Sequence, residues 1–381
     1  MKFGRKKRNS VQAIPVQTVP KEKTEIMHGN GFEMQSRAQH ELYESLREAV
    51  PVVDAAIGKI VRLVGRFGVV TADRRCQKIV DDFVKNVKTN GSSHGIENFI
   101  YTYLDSLLTF GEAVGEMVVS QNGDSIACLY NASLDDVEIR ADKSPLDLIV
   151  CRNDINGSIP AKYQNLILAT LLNPKAGTVH GTSILSGLPF VSSILLRIFG
   201  SIKTNWERVG DVRFAVTYNP NGNTTFTKES AKLIADEWRK AMRSDSVCDF
   251  VSVGDVNVRV IGAENQMPDC DIPVRIIMEQ LLAKLGIPPF LLGLSWSSTE
   301  RMSEQQADIL TSELEYYRTV IEPVVRKIIA TQLRLCGFDS DFEIEWNDIN
   351  LQDAVELSTA RLNNAQAMQI EKEIGLEGVN E

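Results

Sequence analysis

The segment 304–336 holds apolar side chains at helical spacing for about 30 residues, the longest such pattern in the chain. Ile309, Leu310, Leu314, Tyr317, Val320, Ile321, Val324, Ile328 and Leu335 carry it. Pro323 sits inside the pattern, where it removes a backbone hydrogen bond and crowds the preceding turn, so a kink is expected. The approach to this helix is "LGIPPFLLGLSWSSTERMSEQQ". Pro288 and Pro289 stop the helix before them and fix an extended segment, because proline disfavours helix at the residue it follows. Phe290, Leu291 and Leu292 are expected to anchor that segment in the core, and Gly293 to free the backbone after it. Ser297 to Glu300 and Ser303 to Gln306 both fit the capping-box pattern. The long helix therefore has two competing starts, and can lengthen or shorten by more than a turn.

Upstream, "VPVVDAAIGKIVRLVG" places Pro51 in a first turn, with Val53, Ala56, Ile57, Ile60, Val61 and Val64 at helical spacing. "DRRCQKIVDDFVKNV" starts at Asp73 and is amphipathic; "IENFIYTYLDSLLTFG" ends at Gly111. The texture then changes to short β-branched runs separated by "NGD" and "SP", which read as strands of a meander, with "LILATLL" a further strand. A long helix returns with Phe190, Ile194, Leu195, Ile198 and Ile202 as its apolar positions. A β-α-β-β region follows: "VRFAVTYNP" as a strand, "KESAKLIADEWRKAM" as a helix, and two short strands around Gly254-Asp255. It is too small to hold much core alone. "DIPVRIIMEQLLAKLG" is another helix with Pro273 in its first turn, where a missing N–H costs little. "FEIEW" is one more strand, and the tail from residue 351 is helical. The fold class is α+β.

Charge limits the function. The chain carries −9 over 381 residues, which argues against a simple nucleic-acid-binding module. Lys2, Arg5, Lys6, Lys7 and Arg8 concentrate +5 at the start and leave −14 for the rest. Residues 1–30, with Pro15 and Pro20, read as an extended basic arm, either a solvated tail or a segment that touches DNA or an acidic partner. The six cysteines are dispersed without a CxxC pair, as reduced thiols are. The most apolar stretch, "PFVSSILLRIFG", is too short for a membrane span and contains Arg197.

No catalytic or metal constellation emerges. "GTVHGTS" lacks the lysine a phosphate loop needs. His28, His40, His94 and His180 show no ligand spacing and are assigned surface or capping roles. "PDCDIP" reads as a helix start with acids favourable to its dipole. "DSDFEIEWND" alternates as a strand, so its acids belong to a solvated face. There is no GxSxG elbow. Neither a cofactor nor a metal is expected, and the chain reads as a non-enzyme.

Three phrases in order, "GEAVGEMVV", "GTSILSGLPFVSSILLRIFGSIKTNWERVGDVRF" and "LLAKLGIPPFLLGLSWSSTERMSEQQADILTSELEYYRTVIEPVVRKII", resemble the portal protein family of tailed double-stranded DNA bacteriophages. The last resembles the family's run of apolar helix, PPxLLG phrase, Ser/Thr-rich loop and long proline-containing helix. The resemblance spans residues 45–365 and implies a ring-forming portal fold. By position, a disordered basic arm covers 1–30. Residues 31–185 and 337–381 look like the wing, the latter with a strand and a short helical crown. Residues 186–210 and 269–286 look like the two stem helices, 211–268 like the clip, 287–303 like the tunnel loop and 304–336 like the long kinked helix.

The implied function is a dodecameric ring at one capsid vertex of the virion, assembled in the host cytoplasm. It conducts double-stranded DNA during packaging and ejection. It docks the large terminase subunit and then the head–tail adaptor proteins, and it meets major capsid and scaffold proteins but no membrane. Trp296, Ser297, Ser298, Thr299, Glu300 and Arg301 would line the channel as the tunnel loop. Arg197, Lys203, Arg208, Arg275 and Lys284 on the stem helices either steer DNA or are ordinary helix-surface charge. Two other classes fit the residues: an enzyme with an unrecognised site under a lid at 293–303, and a capsid interaction module that forms no ring.

Overall fold

The structure is a computed structural model that describes residues 17–18, 31–144, 147–154, 157–210, 213–219, 232, 236, 255–261, 270–294 and 300–349. The chain divides into two compact units, Met1–Ser193 with Ile277–Glu381, and Ile194–Ile276.

The first unit begins with three helices, α1 (Gly31–Ala49), α2 (Pro51–Leu63) and, after strand β1 (Phe67–Thr71), α3 (Arg74–Asn86). Pro51 occupies the first turn of α2, where its missing N–H has no helical partner to lose. Asp73 caps α3 by accepting a hydrogen bond from Arg75 N at 2.8 Å. Val53, Ala56, Ile57, Ile60 and Val61, the apolar positions of the α2 pattern, are all buried. Two short strands, β2 (Lys88–Thr89) and β3 (Ser93–His94), lead into α4 (Ile96–Phe110). Gly111 ends α4 at φ 84°, a left-handed position that glycine takes without strain. Arg47 ties α1 to α2 and α4: it donates to Asp54 on α2 and to Asp105 and Thr109 on α4.

The meander follows as β4 (Glu112–Val119), β5 (Ile126–Asn131), β6 (Val137–Ala141), β7 (Leu148–Asp154), β8 (Gly157–Pro160) and β9 (Ile167–Leu171). One sheet has the order β3-β2-β5-β4-β9, with only β2 and β5 parallel; a second has the order β6-β7-β8. Strand β4 lies between β5 and β9, and its alternation sorts two cores. Ala113, Gly115 and Met117 share one face, against α4. A Cβ at Gly115 would fall 2.6 Å from the Phe99 ring, and the Tyr103 hydroxyl donates to Ala113 O at 3.1 Å. Glu112, Val114, Glu116 and Val118 share the other face, where Val114 packs with Val137, Ile139, Val150 and Ile167.

The last elements are α5 (Leu188–Gly210), strands β10 (Arg213–Asn219) and β11 (Asp255–Ile261), helix α6 (Asp271–Leu285), helix α7 (Glu300–Leu335) and β12 (Phe342–Trp346). In the second unit β10 and β11 pair antiparallel from Arg213↔Ile261 to Asn219↔Asp255. The helix expected between them falls mostly outside the described residues, as does the tail beyond residue 349. In the first unit β12 pairs antiparallel with β1, joining positions 67 and 346. The sequence reading did not anticipate β1.

Three details of the approach to α7 differ from expectation. Only Pro288 is extended, at φ −62° and ψ 138°; Pro289–Leu292 form a 3₁₀ turn, because the fixed φ of proline suits a first helical turn as well as an extended chain. The anchors are Ile287 and Pro288, which are buried, whereas Phe290, Leu291 and Leu292 are only half-buried. Helix α7 already includes Glu300, so Ser303 lies inside the helix and does not begin it. Gly293, expected to free the backbone, takes the left-handed conformation at φ 75°. Pro323 is inside α7.

Candidate functional site

Two kinds of site need placing: the residues assigned to a DNA channel, and a polar pocket in the first unit. Trp296, Ser297, Ser298 and Thr299 lie outside the described residues; Glu300 and Arg301 form the start of α7. Arg197, Lys203 and Arg208 lie on α5, Arg275 and Lys284 on α6. Arg197, Lys203 and Lys284 are exposed and Arg275 half-buried. Lys203 Nζ stands 3.8 Å from Glu207 one turn on, an exposed pair of little energetic weight.

The exposed apolar residues of α5 were not anticipated as such. Phe190 is 74% exposed and Trp206 63%, with Ile194, Leu196 and Phe199 also exposed. Phe190, Ile194, Ile198 and Ile202 recur every fourth residue, so they run along one side of the helix. In the single chain these four are exposed or half-buried, whereas Leu195, the fifth apolar position of the pattern, is buried. Ile272 and Ile276 on α6 and Ile309 on α7 are likewise exposed. Runs of large apolar side chains left open to water mark surfaces that something else covers.

The pocket was not foreseen either. A cavity of about 270 Å³ is lined by His40, Tyr43, Phe110, Glu112, Lys175 and His180, among others. His180 Nδ1 lies 2.9 Å from Glu112 Oε1, which also accepts from Gly181 N at 3.2 Å. His40 meets the edge of the Phe110 ring at 4.8 Å between centroids. The two histidines, far apart in sequence, meet because the loop after β9 crosses the end of α4. Gly181 makes that crossing possible: a Cβ there would fall 1.9 Å from the Gly111 carbonyl. The Ser183 hydroxyl is used structurally, donating to the carbonyl of Thr109. It therefore does not stand as a nucleophile beside an imidazole base. Among the described residues no group of three histidines, cysteines or carboxylates could hold a metal ion.

The histidines titrate in opposite directions. The Glu112 hydrogen bond, working against burial, raises His180 above its ordinary 6.5. Burial lowers His40, against the pull of Glu112 and Asp135. A folded-state value above the unfolded one means that His180 adds stability fully below pH 6.5, and that this is lost as pH rises through the folded value. For His40 the contribution holds above 6.5 and is lost as pH falls. NMR titration of the imidazole resonances is expected to show His180 above 6.5 and His40 below it. Glu112→Gln should bring the His180 midpoint down; an unmoved midpoint would refute the pairing.

Within the first unit, helix α7 is stitched to the neighbouring elements by polar side chains that the sequence reading passed over. Arg318 donates to Val64 O at 2.8 Å and Asn347 O at 2.7 Å, Lys327 to Ile167 O at 2.7 Å, and Gln332 accepts from Ile126 N at 2.8 Å. Arg318 and Gln332 fall on the same helical stripe as Leu314, Ile321, Val325 and Ile328. A charged or amide side chain inside an apolar stripe was the available signal.

No protein-family model and no curated protein matches the chain. Solved structures do. A chain in the neck of a native gene transfer agent particle, computed with C12 symmetry, aligns with a TM-score of 0.61 at 11% identity over 89% of this chain and 90% of that one. A chain in the virion of the native particle aligns at 0.59 and 12% identity over the same shares. A portal protein of an HK97-family phage from Corynebacterium diphtheriae is 14% identical over 78% of this chain and 92% of that one, with a TM-score of 0.43. Across 89% of its length the chain therefore has the α+β fold of a protein that, in the first two of these structures, stands in the neck or virion of a gene transfer agent particle.

Proposed function

We propose that the chain is a portal protein: a non-enzymatic subunit of a closed ring at one vertex of a virion, through which double-stranded DNA passes. The observation that carries this reading is the fold, shared along both chains almost end to end with a component of a virion neck of twelvefold symmetry. The open apolar side of α5 supports it, since a ring subunit must cover such a surface with its neighbour. The charge supports it too. Each Lys or Arg contact to phosphate adds affinity by releasing counterions, so a conduit through which DNA slides needs few of them, and an acidic chain suits that task. Arg197, Lys203, Arg208, Arg275 and Lys284 would steer DNA without trapping it, and residues 295–301 would face the channel. The terminase motor would hydrolyse ATP while docked on the ring, to be replaced by head–tail adaptor proteins.

Light scattering combined with negative-stain images of the purified protein tests the ring. Closed rings with a central hole are expected, and a stable monomer at high concentration would overturn the reading. Deleting residues 295–301 should leave the ring intact and abolish packaging or retention of DNA in an infection assay. Loss of the ring on that deletion would make the loop an assembly element instead.

A further inference from the structure

Strand β4 carries two acids on the face turned away from α4, and each is met by a distant segment. Glu112 is met by residues 180–181. Glu116, only 3% exposed, is met by two residues of the N-terminal arm. Gln17 N donates to both carboxylate oxygens at 3.0 Å, Thr18 N to one at 3.1 Å and the Thr18 hydroxyl to the same oxygen at 2.9 Å. The Gln17 side chain then exchanges two bonds with the backbone of Tyr163, donating to its carbonyl at 3.2 Å and accepting from its N–H at 2.9 Å. Thr18 is fully buried.

We propose that Glu116 and the Tyr163 backbone form a peptide-docking site whose ligand is the Gln17–Thr18 segment of the same chain, and that this docking anchors the basic arm. The chemistry is specific. A carboxylate at this depth is costly unless it accepts hydrogen bonds, and all of those named come from two consecutive residues. The ligand must therefore offer two successive backbone N–H groups and a hydroxyl, which Gln17-Thr18 does. Burial pushes the Glu116 carboxyl up, while the bonds from Gln17 and Thr18 pull it down, so the segment favours the charged form it binds. Undocking would take these charge-assisted hydrogen bonds from the carboxylate, which makes the contact stronger than the area of two residues alone would give. The five cations of residues 1–8 are thereby rooted nine to fifteen residues from a fixed point, a fully extended reach of about 30 Å for Arg8 and about 50 Å for Lys2. Any acidic partner of the arm is then met at this face, at a high effective concentration. The docking does not depend on the ring reading.

Hydrogen exchange on the full-length protein tests it. The amides of Gln17 and Thr18 should exchange at least about tenfold more slowly than in an unstructured peptide. Thr18→Val removes only the hydroxyl donor, whereas Gln17→Pro removes the N–H shared by both oxygens together with the side chain that bonds Tyr163. Both alter the ligand and leave the folded unit intact, and the Thr18 amide, the one still present in the proline variant, should lose most of its protection in each while the β4 amides keep theirs. Glu116→Gln should do the same from the receptor side. Exchange of Gln17 and Thr18 at the unstructured rate in the native protein, or protection unchanged in both arm variants, would overturn the site. Protection that vanishes on dilution would assign the ligand to a second copy and overturn docking within one chain.

Discussion

Gly181→Ala is expected to destabilise the first unit by about 3 kcal/mol or more, the upper end of what overpacking costs. The added methyl would lie 1.9 Å from the Gly111 carbonyl oxygen and 2.9 Å from Leu172 N. Both are backbone atoms, so no side chain can rotate away. Gly111 cannot yield, because it holds the left-handed cap of α4 and its own Cβ position is 2.6 Å from Ser183 N. The same crossing carries Leu172 N to Gly111 O at 2.8 Å, Thr182 N to Leu172 O at 2.6 Å and Ile184 N to Leu108 O at 3.2 Å. Moving the loop to admit the methyl would break these and pull His180 from Glu112. The urea midpoint should fall with little change in slope. Gly200→Ala is the contrast: it lies in α5 with open space around its Cβ position, and should be neutral or stabilise by about 0.5–1 kcal/mol. Equal midpoints for the two variants would show that the crossing is not as tight as drawn.

That crossing also shows where sequence reasoning stops. The helices were legible because their signals are local: Pro51, the Asp73 cap, the Gly111 stop and apolar residues at helical spacing all lie within the element they define. The meander was legible from alternation and turn residues. Strand β1 was not, because its pairing with β12 is set some 275 residues away and "FGVVT" is short enough to read as the end of a helix. The His40–Glu112–His180 pocket was invisible for the same reason. Glycine at 181 has a tertiary cause, and "GTVHGTS" carries no local trace of Gly111. At Pro289 the local rule gave two answers, extended chain or first helical turn, and the structure takes the second. The DNA-facing assignment came from resemblance alone, since the loop residues have no spacing that dictates a contact.

Phe190→Asp combined with Trp206→Asp is expected to abolish ring assembly while leaving the chain folded. Phe190, Ile194, Ile198 and Ile202 recur at helical spacing, as the positions of a buried stripe do, yet Phe190 is 74% exposed and Trp206 63% in the single chain. The two facts agree if the core is completed by a neighbour. Burying an aromatic side chain of this size contributes roughly 1.5–3 kcal/mol. Losing two of them removes about 4 kcal/mol from each interface, close to a thousandfold in association, before the cost of burying two carboxylates is added. In a closed ring every subunit repeats the loss, so assembly fails as a whole rather than weakening at one contact. Because both side chains are open to water in the single chain, neither substitution disturbs its interior, and far-UV dichroism and the thermal midpoint of the monomer should stay close to the starting protein. Lys203→Ala removes an exposed cation from the same helix and should leave rings intact. Rings of unchanged size from the double variant would mean that these exposed aromatic residues of α5 face something other than a second subunit, and would remove the support they give to the portal reading.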